Sequence, residues 1–91
     1  MATLQDVKPR IRAFLLETFP ALKNVALDDG TPLLEGGAVD SLGLLEIVTF
    51  LESEFGARLD DEDVVVENFE SIAAIERLAL RKAKTAKALE N

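Results

Sequence analysis

Leu4, Val7, Ile11, Phe14, Leu15 and Thr18 recur at the spacing of an amphipathic helix and predict a first helix over residues 4–18. Thr3 is one candidate cap. Pro9 bears on where the helix begins, because in a helix interior it forfeits the bond to Gln5. With Asp6 as the cap, Pro9 falls in the first turn, where no intrahelical bond is lost, so the helix starts or tightens there.

From Phe19 to Val39 the periodicity fails, and Pro20, Asp28-Asp29-Gly30, Pro32 and Gly36-Gly37 punctuate the stretch. A loop of this length in a small domain points to function. Its apolar residues Leu22, Val25, Leu27, Leu33 and Leu34 are expected to pin it onto the core. Periodicity returns at Ser41, and a second helix is expected to about Phe55, capped by Asp40 and stopped by Gly56. On its wheel Leu44, Ile47, Val48, Leu51 and Phe55 share the core side. Leu42, Glu46, Thr49 and Ser53 fall opposite, with Leu45 and Glu52 at the margin.

Asp60 or Asp61 then opens a short helix through "DEDVVVE", and Asn68 to Glu70 are expected to break it. Ser71 caps a last helix that turns Ile72, Ile75, Leu78 and Ala79 inward. The tail "RKAKTAKALEN" has helical composition but little apolar surface to dock, and either extends this helix or frays. The expected fold is all-α: a small four-helix bundle with a long loop between the first two helices and a short third helix. Residues 1–91 read as one domain, with its core in about 4–82 and a basic tail over 83–91.

Composition agrees with this. Apolar residues make up 48% of 91, and the only aromatics are five phenylalanines, a balance suited to a thin core of Leu, Ile, Val and Ala. No apolar run reaches the length of a membrane span and no signal peptide opens the chain. With no cysteine there is no disulfide, and a cytoplasmic, monomeric protein is the expectation. The net charge of −7 is concentrated: residues 28–70 hold thirteen acids and a single base, Arg58. Such a middle repels nucleic-acid backbones and attracts basic protein surfaces, which argues against a nucleic-acid partner.

Ser41 stands at the mouth of the second helix with Asp40 beside it and no base near it, in a chain without histidine. A nucleophilic serine needs such a base, so hydrolase chemistry is excluded and no catalytic residue is assigned. The run Asp60-Asp61-Glu62-Asp63 attracts divalent cations weakly at best, and "DDGTPLLEGG" lacks the alternating oxygen ligands of a calcium loop, so no metal site is assigned. An exposed serine where helical N–H groups are free is, by contrast, a good place to attach a phosphate. The plain alternative is that Asp40-Ser41 is only a helix start.

The stretch "LLEGGAVDSLGLLEIVTFLESEFG" resembles the centre of acyl and peptidyl carrier proteins, including the Asp-Ser-Leu that receives 4′-phosphopantetheine. The long preceding loop, Glu46, the "FLESEFG" helix end, the acidic short helix and "ENFESIAAIERL" follow the family's order, over roughly residues 4–82. The resemblance implies that a phosphopantetheinyl transferase moves the arm from coenzyme A onto Ser41, with Asp40 and Leu42 as the flanking recognition residues. It also implies that cargo rides on the arm's thiol as a thioester, so the chain is a non-enzymatic carrier. Leu42, Leu45, Glu46, Thr49 and Glu52 then form the partner-binding surface. The partners implied are that transferase, an acyl- or aminoacyl-loading ligase, and downstream synthase, condensing or transferase enzymes.

Fatty-acid-synthesis carriers commonly read Gly-Ala-Asp-Ser-Leu-Asp, with an acid where this chain has Gly43, and here Gly37-Ala38-Val39 leads into Asp40. This departure is more like stand-alone carriers of amino acids or specialised acyl groups, such as the D-alanyl carrier type. Read from the sequence, Gly43 removes a negative charge beside the arm and loosens the first turn. The alternatives are a housekeeping fatty-acid-synthesis carrier, and an unmodified helical subunit whose acidic helix binds a basic partner.

Overall fold

Four α-helices and two 3-10 turns make up the regular structure of residues 7–83, the part of the chain that this computed structural model describes. The first helix, α1 (Val7–Thr18), buries Val7, Ile11 and Leu15 at helical spacing. Pro9 is its third described residue. Thr3, Leu4 and Asp6 lie outside the described residues, as does the tail from residue 84.

The connection that follows is more ordered than its lack of period suggests. Pro20 presets the backbone of a 3-10 turn over Pro20–Asn24, inside the stretch expected to be loop, and Leu22 is buried beneath it. Leu27 and Leu33 are also buried, and Leu34 packs against the core as expected. Val25 is a correction: it is 49% exposed, because the chain leaves the turn extended there and carries the side chain outward before Leu27 re-enters. Backbone bonds then fix the loop from outside. Leu33 N–H donates to Glu70 O at 2.9 Å, and Ala73 N–H donates to Asp29 O at 3.0 Å. Lys8 Nζ bonds Asp29 at 2.8 Å, and the Arg12 guanidinium donates to Leu27 O.

The second helix, α2 (Ser41–Phe55), has the expected bounds. Gly56, left-handed at φ 67°, ends it, and the Ala57 N–H turns back to Leu51 O at 3.3 Å. Ile47, Leu51 and Phe55 are buried; Leu44 and Val48 are partly buried and pack against the same core. Phenylalanines join α2 to α1. Phe14 stacks on Phe50 with centroids 4.2 Å apart, Phe19 meets Phe14 edge-on, and Phe55 meets Phe50 edge-on.

The acidic segment is not one short helix. A 3-10 turn over Asp61–Asp63 is separated from α3 (Val66–Phe69) by Val64 and Val65, so Asn68 and Phe69 are helical and the break falls earlier than expected. Val65 is extended at φ −129° and ψ 156°, a conformation that β-branching favours. Asn68 bridges the break by donating from Nδ2 to Asp63 O at 2.8 Å, and fully buried Phe69 anchors the helix. Ser71 then caps α4 (Ile72–Lys82), its Oγ accepting from Ala74 N–H at 3.2 Å, and Ile72, Ile75, Leu78 and Ala79 are buried as the pattern requires. Helix α4 packs against both α1 and α3.

Asp63 ties the acidic turn to the end of α4. Its carboxylate accepts from Asp60 N–H at 2.9 Å and pairs with Lys82 Nζ at 3.2 Å, while Arg58 N–H donates to Lys82 O. The Asp60 N–H, and then Lys82, hold this carboxyl below its ordinary value of 3.8 against an opposing desolvation. A depressed folded pKa contributes stability above the ordinary value, and that stability is lost as pH falls through the folded one. Asp63→Asn should therefore melt below the wild type at neutral pH, and the gap should close as pH is lowered beneath 3.8, read by thermal melts across a pH series.

Candidate functional site

The long loop ends in a turn that carries the chain from core to solvent within a few residues. Gly37 is left-handed at φ 78°, a conformation costly for other residues, and donates to Leu34 O at 3.3 Å. Val39 follows, 2% exposed and buried in the core. The sequence reading did not identify this anchor, because a lone valine between Gly-Ala and Asp-Ser carries no period.

Asp40 then turns outward in an extended conformation and caps α2 as expected, its Oδ1 accepting from Gly43 N–H at 2.8 Å. Its carbonyl accepts from Leu44 N–H at 2.9 Å, the first bond of the helical ladder. Ser41 is the first residue of the helix and is exposed; Leu42 beside it is 71% exposed. The first-turn N–H groups point toward this end, and with the helix dipole they favour negative charge there.

Leu45, Glu46, Thr49 and Glu52 are all exposed on α2, so one surface brings together every residue that the sequence placed on it. Leu45 exposes 57% of its surface, which with Leu42 makes a small apolar patch. The Thr49 hydroxyl donates to Leu45 O at 3.0 Å, which directs its hydrogen back into the helix. Among the described residues, neither Glu46 nor Glu52 pairs with a base, whereas Glu54 pairs with Arg10.

Two features were not legible in the sequence. Leu45, Glu46, Thr49 and Ser53 of α2 line a shallow groove of about 450 Å³ with Phe14 and Phe50. Phe14 packs against the core, and its stacking on Phe50 leaves both rings partly exposed at the groove. The second is Gly43, which is buried. A Cβ at this position would lie 2.7 Å from Cε1 of Phe19, so the position closes against an aromatic ring and does not open beside Ser41. This corrects the expectation that Gly43 acts as a missing surface charge and a loosened turn. Glycine is there because the ring occupies the space.

The cap makes a direct prediction. Asp40→Ala removes the acceptor for Gly43 N–H and should lower stability by about 1 kcal/mol. In a domain of this size that is a fall in melting temperature of roughly 4–8 °C, measured by circular dichroism.

The geometry agrees with comparison to known proteins. A family model described as a phosphopantetheine attachment site matches residues 10–79, which include Asp40, Ser41 and Leu42 and span well over half of the chain. No match was found among curated proteins.

Proposed function

The chain belongs to the phosphopantetheine-attachment family of carrier proteins, and from that premise we propose that Ser41 is its attachment residue. The observation that carries this reading is the exposed Ser41 hydroxyl at the first residue of α2, inside the matched region and flanked by Asp40 and Leu42. The site fits a serine-linked phosphodiester: the hydroxyl is open to solvent, and the helix end favours an anion. When attached, 4′-phosphopantetheine supplies the thiol that holds cargo as a thioester, chemistry that this cysteine-free chain lacks.

The chain's own residues present and identify the site. Asp40 fixes the first turn through Gly43 N–H, and Leu42 offers an apolar contact next to the hydroxyl. The chain has no histidine to serve as a base, so the base that activates Ser41 Oγ belongs to the transferase. Leu42, Leu45, Glu46, Thr49 and Glu52 form the surface that meets this transferase, the loading ligase and downstream enzymes. Its acids steer basic partners, and its leucines hold them briefly. The whole of residues 1–91 acts as one such carrier.

The cargo we propose is an aminoacyl or specialised acyl group. Two features support this over housekeeping fatty-acid synthesis. The site is approached through Gly37-Ala38-Val39, with Val39 buried as an anchor. Where fatty-acid-synthesis carriers have an acid, this chain has a buried glycine closed against Phe19, so the first turn of α2 is packed differently here.

Coenzyme A and a broad-specificity phosphopantetheinyl transferase should add one arm to the wild type and none to Ser41→Ala, read by intact mass. A wild type that takes up no arm would favour the unmodified interaction subunit, and an arm on Ser41→Ala would move the site. Protein from its native host, fragmented to release arm and cargo, reads the cargo directly; malonyl and saturated chains would return the carrier to fatty-acid synthesis.

Glu46→Lys should slow arm transfer several-fold at low salt while leaving melting nearly unchanged, since exposed substitutions shift stability by only about 0.5 kcal/mol. Added salt should slow the wild type and narrow the gap. Equal rates for both proteins at low salt would place Glu46 outside the contact.

A further inference from the structure

The first turn of α2 is held from two directions at one residue. Gly43 N–H is bonded to Asp40 Oδ1 at 2.8 Å, and the α-carbon of Gly43 faces the ring of Phe19. A Cβ there would lie 2.7 Å from Cε1 and 3.1 Å from Cζ of that ring, and 3.1 Å from Cγ1 of Val39. Carbon atoms in ordinary contact stay about 3.5–4.0 Å apart. The backbone does not itself call for glycine at this position: Gly43 is helical, and the described positive-φ glycines are Gly37 and Gly56. A helical glycine is disfavoured by about 1 kcal/mol relative to alanine, so only the approach of the ring accounts for it.

Phe19 is not a loose side chain that could swing away. It is 8% exposed and meets Phe14 edge-on at 6.3 Å. Its backbone is fixed on both sides, with N–H donating to Leu15 O and C=O accepting from Leu22 N–H, each at 2.9 Å. Val39, on the other side of Gly43, is equally confined. A displacement at this contact therefore passes to the first turn of α2, where Asp40 and Ser41 sit.

We propose that Phe19 is a positioning residue for modification of Ser41: seated on the bare α-carbon of Gly43, it sets where the first turn of α2 lies and so where Ser41 Oγ meets the transferase. The inference rests on the reading of Ser41 as the attachment residue. Transfer forms the Oγ–phosphorus bond, releases adenosine 3′,5′-bisphosphate from coenzyme A and passes the hydroxyl proton to the transferase's base. Such an attack depends on alignment, and misplacement by about 1 Å can lower a rate by about a hundredfold.

The test is a size exchange across the contact, read by the rate of arm transfer at a temperature where circular dichroism shows every variant folded. Gly43→Ala should lower kcat about tenfold or more, although alanine is the better helix former. Adding Phe19→Leu, which removes the ring edge that the new methyl would strike, should recover most of that loss. A merely structural role would lower melting but leave the rate of folded protein unchanged and show no recovery. Amide exchange gives a readout free of the transferase: Phe19→Leu alone should speed exchange at Gly43 and Leu44 while α4 amides stay protected, and this holds the test open should Gly43→Ala not fold. Gly43→Ala modified at the wild-type rate, a double variant no faster than Gly43→Ala, or unchanged exchange in Phe19→Leu would each overturn the inference while leaving Ser41 as the attachment residue. A wild type that takes up no arm would instead overturn the attachment reading, and this inference with it.

Discussion

Phe19, Phe14, Phe50 and Phe55 touch in sequence, and this aromatic row holds α2 in place. Backbone packing of α4 is against α1 and α3; α2 is joined to its neighbours through large side chains reaching inward. Aromatic pairs contribute about 0.5–1.5 kcal/mol beyond the area they bury, and their edge-on and stacked geometries fix orientation as well as distance. The row therefore sets how α2 lies over α1. It also forms one wall of the groove at Leu45, Glu46, Thr49 and Ser53.

A helix held this way can serve two purposes at once. Its inner side, Ile47, Leu51 and Phe55, is buried, while Ser41, Leu42, Leu45, Glu46, Thr49 and Glu52 remain in solvent. Leaving two leucines exposed, with Glu46 and Glu52 pairing with no base among the described residues, adds nothing to the fold. The long loop makes the arrangement possible. Leu22, Leu27, Leu33 and Val39 bury it against the core, and bonds from Leu33 and to Asp29 fasten it to the α3–α4 junction. It therefore delivers Asp40 to a defined place despite having almost no regular structure.

Charge is distributed to the same end. Lys8 bridges α1 to Asp29 of the loop and Glu76 of α4, and Lys82 meets Asp63, so these two lysines tie segments together. On α2, Glu54 pairs with Arg10, while Glu46 and Glu52 meet no base among the described residues. Residues 28–70 hold thirteen acids and one base, so the middle of the chain is strongly acidic.

The sequence by itself determined α1, α2 and α4, the caps of α2 and α4, and the attachment family. Apolar spacing marked α1, α2 and the buried side of α4, while Asp40, Ser71 and Gly56 marked their ends. Asp-Ser-Leu in its long context marked the attachment family. These signals are local: a period of 3.6 residues, a cap three residues from its N–H, a motif read in order. Only the tertiary structure decided that Val25 faces solvent, that the acidic segment breaks at Val64–Val65, that Phe14 borders a groove, and that Gly43 is closed against Phe19. Each of these depends on which distant side chain fills a given volume. Phe19 and Gly43 are separated by the whole loop, and no pattern along the chain records that a ring from one occupies the place of a methyl on the other.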